Sequence, residues 1–449
     1  KVHERSIDTD LLCFMAKTLL EADSHVKLVL MSATMSTDLI RGYFSVQSPA
    51  LFVGARRFPI REVYVDELPR ELNCQDVLTR VCDSIAQHSS ADDPPSVSTL
   101  QHNLAVQVAR SVGTPGSAVL VFVPGMASIL AIMDMFEKIR STDVVYKVIP
   151  FHSEIPLEDL MTAFEPAGEG VVKVVVATNS AESSITLPDV DHVICCGICK
   201  QMQHDPRTGR STLTPVWISK ASAVQRMGRT GRVRPGTVYR LYSRKMGEQI
   251  MRSHETAEIK RLPLDSVVLE LKNMLGDRPV VPVLESILEP PDTSSVARSF
   301  QSLHDMGFVT EPNDNATLTD TGRFACGLGV DLQLGRMVAL GARLGVLAEA
   351  IHMAAILSAP SMPFRRASTL MHEDPDEFNS IVGESFLSQA VFDRGMYSDT
   401  LAVLRLFREY NVWTKEGGTS KWSFCQLFSL SFTRMQHLTA SVTSISRSA

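Results

Sequence analysis

The 449 residues contain no apolar run long enough to span a bilayer and no signal-peptide pattern, so nothing points to a membrane helix. Basic charge is also short. The 44 Lys and Arg against 50 Asp and Glu leave a net charge of −6, so any grip on nucleic acid has to come from a local cleft rather than from the overall field. Cysteines number eight, which fits a reducing compartment or buried thiols. Cys196 and Cys199 have metal-like spacing, but no second CxxC or nearby His pair completes a site, and they are read as packed thiols. No internal repeat is visible. Residue 1 is not Met, so the expectation is a piece of a longer polypeptide. Its location stays open among the reducing compartments: nucleus, cytoplasm or mitochondrion.

What is present is an ordinary globular composition, 44% apolar and 21% charged. The length calls for about three domains of roughly 150 residues. Leu11 to Leu20 has helical apolar spacing, and Val26 to Met31 reads as a short buried strand. From about residue 56 to 246, short apolar runs alternate with helical segments: 118–123, 146–150, 171–177, 190–195 and 236–242. That pattern predicts an α/β block with a parallel sheet covered on both faces. His88 to Thr99 reads as a surface insertion. From about 247 the chain becomes mostly helical, with a long apolar helix over 332–352 and another amphipathic one over 424–442. Asp320-Thr321-Gly322 would cap and start a helix.

The densest segment is Gln225-Arg226-Met227-Gly228-Arg229-Thr230-Gly231-Arg232. Arginine keeps its charge and offers a planar fork matched to phosphate oxygens, and glycine lets a phosphate approach the backbone. A solvated basic loop is the alternative. Three further segments oppose it: Val2-His3-Glu4-Arg5-Ser6, Ser32-Ala33-Thr34, and Ala177 to Thr186. Together these resemble, in chain order, the tail of motif II, then motifs III, V and VI, of the DEAH/RHA group of DExH-box RNA helicases. Val121-Phe122-Val123-Pro124-Gly125 resembles motif IV.

The resemblance implies a RecA-like helicase core with its first RecA domain truncated (1–55), a second RecA-like domain (56–246), a winged-helix domain (247–330) and a helical ratchet domain (331–449). It implies ATP or another NTP with Mg²⁺ as cofactor, although no metal ligand falls within this stretch. By resemblance, Gln225 and Arg229 contact the γ-phosphate or attacking water, and Arg232 is the arginine finger. Arg226 forms a structural ion pair. His3 links the nucleotide site to motif VI, and Ser32 and Thr34 couple hydrolysis to RNA grip. Phe164 covers the adenine, with core packing as an equal alternative. Thr178 and Thr186 donate to RNA phosphates, and His152 and Ser153 approach the RNA backbone. The turn Asp205-Pro206-Arg207-Thr208-Gly209-Arg210 predicts a β-hairpin resembling the family's duplex-splitting hairpin, made basic by Lys200, Arg207 and Arg210.

Two departures bear on activity. Aligned on His3, Lys1 stands where motif II has its Glu, and a charged lysine cannot act as that base. The Gly-x-x-x-x-Gly-Lys-Thr loop is absent, so this stretch alone is not expected to bind ATP tightly. The resemblance therefore implies one of two functions: a 3′-to-5′ RNA helicase or RNP remodeller acting on single-stranded RNA, or a hydrolysis-deficient scaffold in an RNP or ribosome-assembly complex. A large ribonucleoprotein complex and a protein activator on the winged-helix or ratchet surface are expected partners, with no membrane contact.

Overall fold

Among the described strands, Ala118–Phe122 (β2) and Val171–Ala177 (β4) are the most thoroughly buried, as predominantly apolar runs require of central parallel strands. In the computed structural model, which describes residues 5–23, 25–31, 37–47, 51, 58–72, 76–87, 95–139, 144–153, 155, 160–183, 187, 189–205, 207–365, 375–415, 418 and 420–449, they pair with each other in the middle of a six-stranded sheet. The remaining members are Ile60–Tyr64 (β1), Val145–Phe151 (β3), Val190–Cys195 (β5) and Gly236–Arg240 (β8). The order is β1-β8-β5-β2-β4-β3, and every pairing is parallel.

Alternation along the strands sorts the core into two layers. Val119, Val121, Val172, Val174 and Val176 face one way, against Leu104, Val108, Ile129 and Phe136. Those partners come from the helices Thr99–Val112 and Met126–Glu137. Leu120, Phe122, Val175 and Ala177 face the other way, against Ala223 and Met227 of the helix Lys220–Met227. Helices on both faces of a parallel sheet make this the RecA-like α/β architecture expected of the sequence. Between β5 and β8 an antiparallel hairpin projects, Ile198–Asp205 (β6) with Arg210–Trp217 (β7).

The chain divides into two compact units, residues 1–262 with 287–289 and residues 263–286 with 290–449. The second is helical, with isolated bridges at Val309–Leu318 and Phe364–Leu430. Its core gathers Val338, Ala354, Leu406, Phe424 and Met435. No described helix is long and apolar enough to cross a membrane.

Three local expectations are corrected. Val26–Met31 is not a strand, and Val29 and Met31 are each 77% exposed. A strand needs a ladder partner, and no described strand pairs with this run. The single helix expected over 332–352 is two, Leu332–Arg343 and Leu347–Ser358, because Gly345 turns the chain at φ +73°. The helix expected over 424–442 is likewise broken into Lys421–Leu427 and Phe432–Ser448, with Ser429 at φ 46° between them. The cap of the helix Asp320–Leu328 is Thr319, whose side chain accepts from the Gly322 N–H. Most of the insertion expected at 88–99 lies outside the described residues.

Candidate functional site

The segments after β3 and β4 leave the carboxyl ends of their strands, where ligands collect in such sheets, whereas the arginine-rich turn 228–232 is fixed at the amino ends of β1, β5 and β8. Ser219 caps the helix Lys220–Met227 by accepting from the Ser222 N–H. That helix carries Gln225 and Arg226 on its last turn and ends at Gly228. Gly231 then takes φ +72°, a conformation in which any side chain is strained, and an added Cβ would also press on Ile60. The turn is anchored below by Thr230, whose buried hydroxyl lies 2.9 Å from the Val190 carbonyl oxygen and 2.8 Å from that of Asp191. Arg234 adds a bond to the Asp191 carboxylate, which also accepts the Ala118 N–H at 3.0 Å.

The arginines divide by environment. Arg226 is 1% exposed; its Nε donates to Glu182 at 2.8 Å and its guanidinium sits 4.8 Å from the centre of the Phe122 ring. It is a structural ion pair, as expected, with the partner now identified as Glu182. Arg229 and Arg232 are half-buried. Arg229 donates to the Glu182 carbonyl oxygen, and Arg232 donates through Nε to the Gly228 carbonyl at 3.1 Å. Burial, then the neighbouring Arg232 charge, pulls the Arg229 guanidinium below the usual arginine value, and burial does the same to Arg232. Guanidinium does not lose its proton in a protein. Both arginines therefore stay charged.

Glu182 belongs to the short helix Ser180–Ser183 that follows β4. One residue therefore holds Arg226 by its carboxylate and Arg229 by its carbonyl, joining the segment after β4 to the arginine turn. Just ahead, Thr178 is buried, its N–H donating to the Phe151 carbonyl at 3.3 Å and its hydroxyl 3.0 Å from that of Ser180. This brings Thr178 beside the end of β3, where half-buried His152 and exposed Ser153 follow. Lys200 lies over the Pro124-Gly125 turn after β2, where a Cβ added to Gly125 would stand 3.2 Å from its Nζ.

Arg207 and Arg210 are exposed at the hairpin tip. Asp205 shapes that tip by accepting the Arg207 N–H and the Thr208 hydroxyl, each at 2.9 Å, and these bonds, the backbone one first, hold its carboxyl below the usual range. Phe164 is half-buried and meets Phe151 edge-on at 6.4 Å. Cys196 and Cys199 are buried, and burial pushes the Cys199 thiol up to about 12. His3, Ser32, Thr34 and Thr186 lie outside the described residues. Sequence reasoning missed Lys173, a lone cation inside the valine run of β4 that is 2% exposed.

A six-stranded parallel sheet covered by helices on both faces, carrying an anchored arginine turn, is a RecA-like domain. The helicase conserved C-terminal domain family matches residues 102–234. The probable ATP-dependent RNA helicase DHX34 of Mus musculus is 32% identical over 94% of this chain and 34% of its own length. The putative DEAH-box ATP-dependent helicase UM11114 of Mycosarcoma maydis is 29% identical over 82% and 26%. The ATP-dependent RNA helicase DHX30 of Homo sapiens is 31% identical over 76% and 28%. The chain belongs to the DEAH/DExH-box helicase family, and spans about a third or less of the length of these relatives.

Proposed function

We propose that this chain is the carboxyl-side part of the motor of an ATP-dependent RNA helicase or RNP remodeller of the DEAH/RHA type. In this reading 56–246 is the second RecA-like domain, 247–330 the winged helix and 331–449 the ratchet domain, with 1–55 the end of the first RecA-like domain. Arg229 and Arg232 take charge from the γ-phosphate of ATP bound with Mg²⁺, Gln225 orients the attacking water, and Phe164 stacks on the base. Thr178, His152, Ser153 and Lys200 line the RNA side, and the hairpin tip with Arg207 and Arg210 meets the duplex. The observation that carries the reading is Glu182, which accepts both Arg226 and Arg229 and so couples the RNA-facing segment after β4 to the phosphate-facing arginines.

Strand displacement by the full-length protein tests it, with RNA and DNA duplexes carrying 3′ or 5′ single-stranded overhangs. RNA with a 3′ overhang is expected to be the unwound substrate. Unwinding of DNA alone would overturn the substrate, and a 5′ preference the direction. One sequence observation favours a second reading: Lys1 at the position of the motif II Glu would make the protein a scaffold that holds RNA within a large complex without turnover.

A further inference from the structure

We propose that Lys173 is a positioning residue for Phe164, with Asp189 as its counter-ion, so that the aromatic ring is held ready for a nucleotide base. The inference rests on the reading of Phe164 as the base-stacking residue.

Lys173 occupies a place where the sheet asks for an apolar side chain. It lies in β4 between Val172 and Val174, opposite Lys147 of β3 and Ala118 of β2, and its backbone pairing does not depend on its side chain. Burying an ammonium costs several kcal/mol, roughly, unless it is fully paired. Here it is. An ammonium has three N–H donors, and three acceptors surround this one: the Ala163 carbonyl at 3.3 Å, the Glu165 carbonyl at 2.6 Å and the Asp189 carboxylate at 2.7 Å. The two carbonyls are those of the residues on either side of Phe164. The second carboxylate oxygen of Asp189 accepts the Ala167 N–H at 3.1 Å. The turn Thr162–Phe164 and the residues after it are thus pinned to the sheet at three backbone positions by one buried ion pair. Lys147 adds an exposed contact to the Glu165 carboxylate at 3.6 Å, which is worth little.

Lys173 and Ala163 lie on the same sheet face, the one against which Phe164 packs and on which it meets Phe151. Among the described residues the ammonium has no acceptors beyond these three. Two of them flank Phe164, so the charge places the backbone on both sides of that ring. A loosened turn would have to be ordered each time a base stacks, and that ordering is subtracted from the affinity.

The test is a double-mutant cycle in the full-length protein: wild type, Lys173→Met, Phe164→Ala and the pair. Binding of ATP and of inorganic tripolyphosphate, which has no base, is measured by displacement of a fluorescent ATP analogue, alongside affinity for single-stranded RNA without nucleotide. Base–aromatic stacking sets the scale, about five- to tenfold in affinity for a loss of about 1 kcal/mol or a little more. Lys173→Met is expected to weaken ATP by that factor, leave tripolyphosphate and RNA unchanged, and add nothing to Phe164→Ala. Effects of the two substitutions that multiply, an equal loss for tripolyphosphate, or an unaltered ATP affinity in Lys173→Met would overturn the inference while Phe164 keeps its role. An unaltered ATP affinity in Phe164→Ala, or no ATP binding by the wild type, would remove the stacking reading and this inference with it. Should Lys173→Met fail to fold, Asp189→Asn replaces it in the same cycle with the same outcomes.

Discussion

Removing the Glu182 carboxylate strands a buried charge. The Arg226 side chain is 1% exposed and that of Glu182 is 14%, and they meet at 2.8 Å. The other partners of Arg226 are the Cys195 sulfur at 3.5 Å, a weak acceptor, and the Phe122 ring. In Glu182→Ala the guanidinium has no route to water, so the cost is that of breaking a buried pair, about 3–5 kcal/mol. For a folding unit of this size that corresponds to a fall in melting temperature of about 6–20 °C. Thermal and urea denaturation of the full-length protein read the loss. The paired replacement Glu182→Leu with Arg226→Met should recover most of the stability, because a packed apolar pair replaces a desolvated ionic one. It should not recover full RNA stimulation of ATP turnover, because the charge link between the segment after β4 and the arginine turn is gone. A fall of less than about 2 °C in Glu182→Ala would refute the reasoning, since Arg226 would then have another way to satisfy its charge.

Neutralising Arg207 and Arg210 together should slow duplex unwinding several-fold more than RNA-stimulated ATP hydrolysis, measured side by side; equal losses would assign the tip a folding role. Gly231→Ala should destabilise by about 1–2 kcal/mol from its positive φ alone, with a further cost from the contact with Ile60. Chemical denaturation measures this, and a neutral result would mean the arginine turn is not held in the conformation described.

The central strands were legible because Ala118–Phe122, and Val171–Ala177 apart from Lys173, are apolar on both faces, and a covered parallel sheet accommodates that. The hairpin was legible from its turn chemistry, since Asp205 and Gly209 are the residue types that close such a tip. Val26–Met31 was misread for a physical reason: a strand is a property of a pair, and apolar content alone does not supply the partner. The long helices over 332–352 and 424–442 were overextended because apolar periodicity continued through Gly345 and Ser429 while the backbone did not. In the site, the arginine turn stood out by its residue types, planar donors spaced by glycines. The partner of Arg226 did not announce itself, because Glu182 lies 44 residues away and only the packing of two segments after different strands brings it close. Lys173 left a trace in the sequence, a charge where valines surround it. What it holds became visible only when the carbonyls flanking Phe164 were found on it.

The central claim is that the arginine turn serves ATP hydrolysis driven by RNA. It is tested most directly by RNA-stimulated ATP turnover in the natural full-length protein, with Arg232→Ala measured in parallel. Turnover that rises with single-stranded RNA and falls by about a thousandfold or more in the variant, with RNA affinity kept, is the predicted result. Turnover unchanged in Arg232→Ala would contradict the arginine-finger assignment. RNA binding with no turnover in either protein would contradict the motor and leave the scaffold reading in its place.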